Sequence, residues 1–376
     1  MINDFIALLI FLATGVYGAL LLISYYSFRK LNSATQFAAR NISVAVVIAA
    51  RNEEQNIPNL LKALEAQDCP FQFEVIVVDD ASEDHTVQVL QSHWAKKFQL
   101  TVLSNGGAGK KDALTTGIHS SLSEVILVTD ADCIPDVQWV RKMTEQFYDP
   151  SCVFVAGMIR PHDGDGFLNA ALETETIFLQ VVSAGMFARK NPVMCNGASM
   201  GFTRAFFSQV QGFTNDQFVS GDDVLLLQKA RWTTPNGIRW LKDPDAMVET
   251  PLAKNMKEAI EQRHRWISKT KAYSGPVLNV MGPVFLLMQL LLPLSVLYFM
   301  AISTDDNPFW AAFFIKIVVE LLLLSLAASF FRVTNVIVML PVSAVLYCII
   351  SIGAVIKLFT GNVQWKGRTW KHGKVR

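Results

Sequence analysis

Val125 to Asp132, V-I-L-V-T-D-A-D, is a run of branched aliphatic residues that stops at two aspartates separated by one small residue. Consecutive apolar, β-prone residues of this kind read as a strand buried on both faces, as in a parallel sheet covered by helices. In open α/β sheets, ligands collect beyond the carboxyl ends of the strands. Asp130 and Asp132 would then stand at the mouth of a crevice. A hard cation such as Mg²⁺ or Mn²⁺ takes carboxylate oxygens, with phosphate and water completing its shell, so this strand end is a candidate site for a metal bridging a diphosphate.

The stretches upstream repeat the pattern. Ser43 to Ala50 (S-V-A-V-V-I-A-A) reads as a buried strand that breaks into Arg51-Asn52-Glu53-Glu54. Asn56 is placed to cap a helix from Ile57 to Gln67, with Pro58 in its first turn, where the missing N–H costs nothing. Phe73 to Val78 is a second strand, ending in Asp79-Asp80-Ala81-Ser82. Ser82 or Asp84 is expected to cap a helix running to about Lys97. Leu100 to Leu103 forms a third strand, followed by Gly106-Gly107-Ala108-Gly109-Lys110-Lys111. There glycines permit close backbone approach and lysines can meet an anion, although the spacing is not that of a Walker A loop. A helix from Asp112 to about Leu122 precedes V-I-L-V-T-D-A-D. Successive strand–helix units imply a parallel sheet with right-handed crossovers. The tips Arg51-Asn52-Glu53, Asp79-Asp80 and Asp130-x-Asp132 would then share one edge and converge on one ligand.

Composition sets this domain between apolar ends. Of 376 residues, 51% are hydrophobic and only 17% charged, poor in charge for a soluble chain. The net charge of +1 gives no global basis for nucleic-acid binding. Five cysteines without C-x-x-C spacing argue against a zinc site or a disulfide framework. Phe5 to Tyr26 is uncharged and matches the ~20 residues that cross a bilayer. Arg29, Lys30 and Arg40 follow it, which by the positive-inside rule assigns the next domain to the cytoplasm. Further apolar segments run over Val277–Ser303, Phe309–Phe331 and Val336–Phe359, ahead of a tail rich in lysine and arginine. Three full crossings would leave that basic tail outside. The first segment, with Gly282, Pro283 and Pro293, is therefore expected to be re-entrant. Lys316 and Glu320, spaced i, i+4 in the second, can pair inside the bundle.

Two more motifs complete the series: S-G-D-D-V-L-L (Ser220 to Leu226) and Q-R-H-R-W (Gln262 to Trp266). Together with A-A-R-N-E-E (Ala49 to Glu54), V-V-D-D-A-S-E-D (Val77 to Asp84), G-K-K-D-A-L-T-T-G (Gly109 to Gly117) and D-A-D, they resemble a family 2 glycosyltransferase of the GT-A fold. Q-R-H-R-W matches the Q-x-x-R-W signature of the membrane-embedded branch, which includes cellulose, chitin and hyaluronan synthases and ceramide glucosyltransferases. Two positions depart from the pattern. Asp222-Asp223 stands where the family usually has Glu-Asp, and Ala81 where it often has Gly; neither removes a needed carboxylate.

The resemblance implies an α/β, Rossmann-like, mostly parallel GT-A domain with transmembrane helices, and a metal-dependent inverting transfer from a nucleoside-diphosphate sugar, UDP by family habit. It implies Asp223 as the general base with Asp222 beside it, and Asp132 with Asp130 as ligands of Mg²⁺ or Mn²⁺. It assigns donor binding to Ala50, Asn52, Glu53, Asp79, Asp80, Lys110, Asp130, Gln262, Arg265 and Trp266, and acceptor contact to Gly197 and Trp266. Separations of three and four put Gln262, Arg265 and Trp266 on neighbouring faces of one helix, and Ala253 to Lys271 also has the pattern of an amphipathic interfacial helix.

The expected organisation is a membrane helix over 1–30, a catalytic domain over 43–252, an interfacial helix over 253–274, membrane or re-entrant helices over 277–359 and a basic tail over 360–376. In that tail W-K-G-R (Trp365 to Arg368) recurs in the branch. A multi-pass protein of the cell membrane is expected, with a lipid or glycan acceptor and membrane lipid as partners. Three C-terminal apolar segments favour single transfer to a lipid. A processive polysaccharide synthase and a catalytically silent sugar-nucleotide-binding subunit are the alternatives. Gly157 to Gly166, with His162, Asp163 and Asp165, reads as a solvated loop.

Overall fold

A computed structural model describes residues 2–32, 37–161, 166–214, 221–268, 276–302, 308–333, 335–359, 362–365, 368–371 and 374–375. The chain divides into two interleaved units. One comprises residues 1–31, 163–191 and 252–360, the other residues 32–162, 192–251 and 361–376.

The second unit is α/β. Its strands are β1 (Val44–Ala50), β2 (Phe73–Asp79), β3 (Phe98–Ser104), β4 (Val125–Val128), β5 (Ile134–Pro135), β6 (Phe154–Gly157), β7 (Ile159–Pro161), β8 (Met200–Thr203), β9 (Ile238–Leu241) and β10 (Val248–Thr250). The main sheet runs β3-β2-β1-β4-β8-β6-β9, and a small sheet runs β5-β10-β7. β1, β2, β3 and β4 are mutually parallel, while β8 enters antiparallel between β4 and β6. The strand order reverses at β1, which lies between β2 and β4, so the crevice beyond its carboxyl end is the switch point where α/β sheets bind ligands. β1 and β4 are almost wholly buried because every other layer is helix: Val44, Val46, Ile48, Val125 and Leu127 join Ile57, Leu60, Leu61, Trp139 and Met143 in one apolar core.

Several local expectations change. The first helix runs Ile57–Glu65, and Asn56 is itself helical with no side-chain cap; its amide instead donates to the Glu53 carboxylate at 2.6 Å. The next helix is shorter, Thr86–Ser92, and Asp84 accepts the Thr86 N–H at 3.0 Å. The helix after the glycine loop begins at Lys110 and runs to Ser120, because Asp112 turns back to accept the Ala108 N–H at 3.0 Å. Ile159–Pro161 is strand rather than loop, while His162, Asp163 and Asp165 lie outside the described residues, as do Ser220, Lys366 and Gly367.

The first unit is helical: Ile2–Lys30, Phe167–Ala188, Met256–Ser268, Pro276–Ile302, Pro308–Phe331 and Asn335–Leu358. Four of these, over Asp4–Lys30, Asn279–Met300, Pro308–Phe331 and Val336–Leu358, are long and apolar enough to cross a membrane. Pro276–Ile302 is one uninterrupted helix that contains both Pro283 and Pro293, not the re-entrant shape expected from those prolines. Phe167–Ala188, unassigned in the sequence, packs closely on the N-terminal helix: a Cβ on Gly185 would lie 2.2 Å from the Ser24 carbonyl oxygen. Small residues serve this purpose where helices meet in a bilayer. Lys316 and Glu320 do pair, at 2.9 Å, and the Tyr17 hydroxyl donates to the same carboxylate.

In the α/β unit, Gly117 lets the Lys110–Ser120 helix lie on the sheet, since a Cβ there would stand 2.6 Å from Val47 Cγ1 and 3.0 Å from Val78 Cγ2. Overpacking at such a contact costs roughly 1–3 kcal/mol. Gly117→Val is therefore expected to lower the thermal midpoint of the α/β unit by several degrees, read by differential scanning fluorimetry of the full chain in detergent.

Candidate active site

The tips of β1 and β2 are stitched together. Arg51, buried, donates from Nη1 to the carbonyls of Asp80 and Ala81, both at 2.8 Å, and from Nη2 to Glu83 at 3.0 Å. The Asn52 side chain accepts the Glu83 N–H at 2.8 Å, the Asn52 N–H reaches Ser82 Oγ at 3.0 Å, and the Glu53 N–H reaches Thr86 Oγ1 at 2.7 Å. Asn52 and Ala81 hold φ of 53° and 57°. This left-handed region costs a residue with a side chain about 1–2 kcal/mol, which is the physical reason a glycine suits position 81. Asp79 accepts the Ser82 N–H at 3.2 Å. Asp80, almost fully buried, accepts from Asn105 Nδ2 at 2.7 Å and from the Gly109 N–H at 3.0 Å. Asp80 thus anchors the glycine loop that delivers Lys110.

Lys110 occupies the first turn of its helix, and its ammonium lies 2.6 Å from Asp130 Oδ1 and 3.1 Å from Asp222 Oδ2. Burial opposes its charge, but Asp130 and Asp222 outweigh burial and hold the ammonium well above the ordinary lysine range. Burial raises Asp130, with Asp132 and Asp222 adding to the rise and Lys110 opposing it. Asp222 and Asp223 open the helix Asp222–Thr233, preceded by Gly221 at φ 99°; the helix dipole favours carboxylates there. Asp223 is fixed by two N–H groups, from Gly197 to Oδ2 at 3.2 Å and from Val224 to Oδ1 at 2.7 Å. Gly197 has no room to spare: a Cβ would stand 3.0 Å from Asp222 Oδ2 and 3.1 Å from Lys110 Nζ. Three motifs far apart in sequence, the glycine–lysine loop, D-A-D and the D-D helix start, therefore meet at one ammonium.

Asp130, Asp132 and Cys133 present ligand atoms within 4.8 Å of one another. Cys133 was not among the expected residues. Burial, then Asp130 and Asp132, push its thiol well above the usual range, and a thiol is a softer donor than a hard, oxygen-seeking cation prefers. What remains is a pair of carboxylates, the donor set of a hard, oxygen-seeking cation. With Lys110 on Asp130, Asp132 is the less committed of the two.

Gln262, Arg265 and Trp266 belong to the other unit, on Met256–Ser268. That helix nests on Asn335–Leu358, where a Cβ on Gly353 would lie 2.9 Å from Ile260 Cδ1, and Lys357 reaches Glu261 at 3.0 Å. Burial draws Arg265 below its ordinary value, against Glu261 and Glu258. Sequence reasoning missed the buried partner of this helix, Glu175, which pairs with Arg263; the signal was an acid inside the apolar stretch Phe167–Ala188.

Residues 45–208 match the family model for glycosyl transferase family 2. Among curated relatives, 4,4'-diaponeurosporenoate glycosyltransferase of Staphylococcus haemolyticus is 38% identical over 92 residues, 24% of each chain. Dolichyl-phosphate beta-glucosyltransferase of Mus musculus is 38% identical over 114 residues, 26% of this chain and 35% of the relative. The chain thus spans about a quarter and a third of these two relatives. An N-acetylglucosaminyltransferase of Rhizobium meliloti is 25% identical over 355 residues, 87% of this chain and 81% of the relative. Among solved structures, the mannosyltransferase PcManGT of Pyrobaculum calidifontis, in complex with GDP-Man and Mn²⁺, shares the fold with a TM-score of 0.64 at 22% identity, covering 94% of this chain and 98% of that one.

Lys110 bridges two carboxylates, so Lys110→Met leaves them facing each other. Loss of one partner from a buried pair costs about 3–5 kcal/mol, and the partial exposure of Asp130 brings the expected loss to about 2 kcal/mol. The variant is expected to melt lower in EDTA and to recover more midpoint than wild type on addition of Mn²⁺, measured by thermal unfolding across a Mn²⁺ titration.

Proposed function

We propose a membrane-bound inverting transfer of a sugar from a nucleoside-diphosphate sugar to a lipid or lipid-linked acceptor, because residues 45–208 match the family model for glycosyl transferase family 2 in a chain with four helices long and apolar enough to cross a membrane. The observation that carries this reading is Asp223, pinned by the Gly197 and Val224 N–H groups beside the Lys110, Asp130 and Asp222 cluster. The nucleoside side is assigned to Ala50, Asn52, Glu53, Asp79 and Asp80, with UDP as the nucleotide. Asp132, with Asp130, is assigned a Mg²⁺ or Mn²⁺ ion, which when bound supplies a Lewis acid for the diphosphate leaving group.

Inversion by single displacement needs one base. An acceptor oxygen attacks the anomeric carbon on the face opposite the diphosphate, the new carbon–oxygen bond forms as the carbon–diphosphate bond breaks, and Asp223 takes the acceptor proton. Lys110 offsets one of the two charges that Asp130 and Asp222 can carry, which lessens the negative charge facing the departing diphosphate. Arg265 is assigned to the diphosphate as a charge-assisted partner and Trp266 to the acceptor as a flat apolar wall, both on the strength of the Q-x-x-R-W resemblance. The lipid acceptor is supported by relatives whose names specify dolichyl-phosphate and undecaprenyl-phosphate substrates. Arg29, Lys30 and Arg40 support a cytoplasmic catalytic domain within the limits 43–252, from which residues 163–191 depart to join the helical unit.

Nucleotide release from a panel of UDP- and GDP-sugars, by full-length protein in lipid with Mg²⁺ or Mn²⁺, tests this reading. Release is expected to rise with added membrane lipid extract, to vanish in EDTA and to fall by about 10²–10⁴ in Asp223→Asn. Donor binding without release under every condition would leave a sugar-nucleotide-binding subunit instead.

A further inference from the structure

The second residue of Q-R-H-R-W, Arg263, carries none of the roles assigned above, yet it is among the most tightly held side chains in the helical unit. It is 6% exposed. Its guanidinium makes a two-pronged pair with Glu175 of Phe167–Ala188, Nε donating to Oε1 at 2.7 Å and Nη2 donating to Oε2. Burial works against its charge, and the Glu175 carboxylate outweighs it. The Tyr347 hydroxyl of Asn335–Leu358 lies beside the same pair. Three helices of one unit therefore meet at Arg263.

The remaining faces of the guanidinium turn toward the signature itself. Nη1 donates to Gln262 Oε1 at 2.6 Å, and the Arg263 guanidinium carbon lies 4.2 Å from the centroid of the Trp266 ring, over its face. A buried ion pair adds little net stability, but a planar fork held at two oxygens fixes orientation. Such a fork, fixed by Glu175, sets where the Gln262 amide and the Trp266 ring point.

We infer that Arg263, clamped by Glu175, is the positioning residue of the Q-x-x-R-W helix, fixing Gln262 by hydrogen bond and Trp266 by stacking. The inference rests on the proposed role of Trp266 toward the acceptor only for its effect on turnover. Its structural half is independent of that role.

Arg263→Lys keeps a cation for Glu175 but has no plane to stack on the indole. Glu175→Gln keeps the shape and loosens the fork. Full-length protein in nanodiscs would be used, with the Trp266 signal isolated by subtracting the matched Trp266→Phe protein. Both variants are expected to shift Trp266 emission to the red and to raise its quenching by iodide. Arg263→Lys, which keeps a cation for Glu175, is expected to hold its thermal midpoint within a few degrees of wild type, while Glu175→Gln, which leaves the buried guanidinium without its counter-charge, is expected to melt lower. In nucleotide release driven by membrane lipid extract, Arg263→Lys is expected to raise the apparent KM for the extract about tenfold, and the double variant with Trp266→Ala to be no worse than Trp266→Ala alone. Unchanged Trp266 emission in both variants overturns the inference, as does a double variant whose losses multiply. If Trp266→Ala leaves turnover untouched, the acceptor role fails, while the emission shift still upholds the positioning.

Discussion

One ammonium among carboxylates organises the α/β unit. Lys110 is delivered by a glycine loop that Asp80 anchors, and it meets Asp130 from the strand end and Asp222 from a helix start. Unpaired carboxylates at this spacing would repel and take up protons. With the lysine between them, Asp130 and Asp222 share one counter-charge and are held in place. The same arrangement places Asp223 one residue along the helix, where backbone N–H groups hold it. The D-x-D strand end, the glycine loop and the D-D helix start are thus parts of one electrostatic unit.

The helical unit solves the converse problem, since charge within an apolar bundle must be paired where it stands. Lys316, Glu320 and Tyr17 satisfy one another, and Arg263, Glu175 and Gln262 form a second group on helices of the same unit. Each joins helices far apart in sequence, so these polar contacts help to fix which helices pack together.

Strand alternation with helices, and strands ending in acids, were enough to read β1 to β4 and their shared edge, because the apolar runs are dense and the acids abrupt. Asp130, Asp222, Asp223 and Lys110 were legible as candidates from motif and chemistry, although only the fold shows Lys110 bridging two of them. The antiparallel entry of β8 was not legible, since M-G-F-T is short and its pairing depends on partners more than forty residues away. Phe167–Ala188 was missed because its acids and threonines dilute an apolar stretch that is stabilised by packing against other helices. The prolines of Pro276–Ile302 suggested a break that the helix does not make; with a bundle around it, the freed backbone groups can be satisfied locally.

The antiparallel strand also has a bearing on how the chain is made. β8 and β9 are synthesised after Phe167–Ala188, a helix of the other unit. When β4 emerges from the ribosome, β1 is there to pair with one of its edges but β8, its neighbour on the other, does not yet exist, and that edge stays open until the intervening helix has been completed. Sheet edges left waiting in this way are where aggregation begins. Completion of the main sheet thereby waits on the synthesis of a helix that lies outside it.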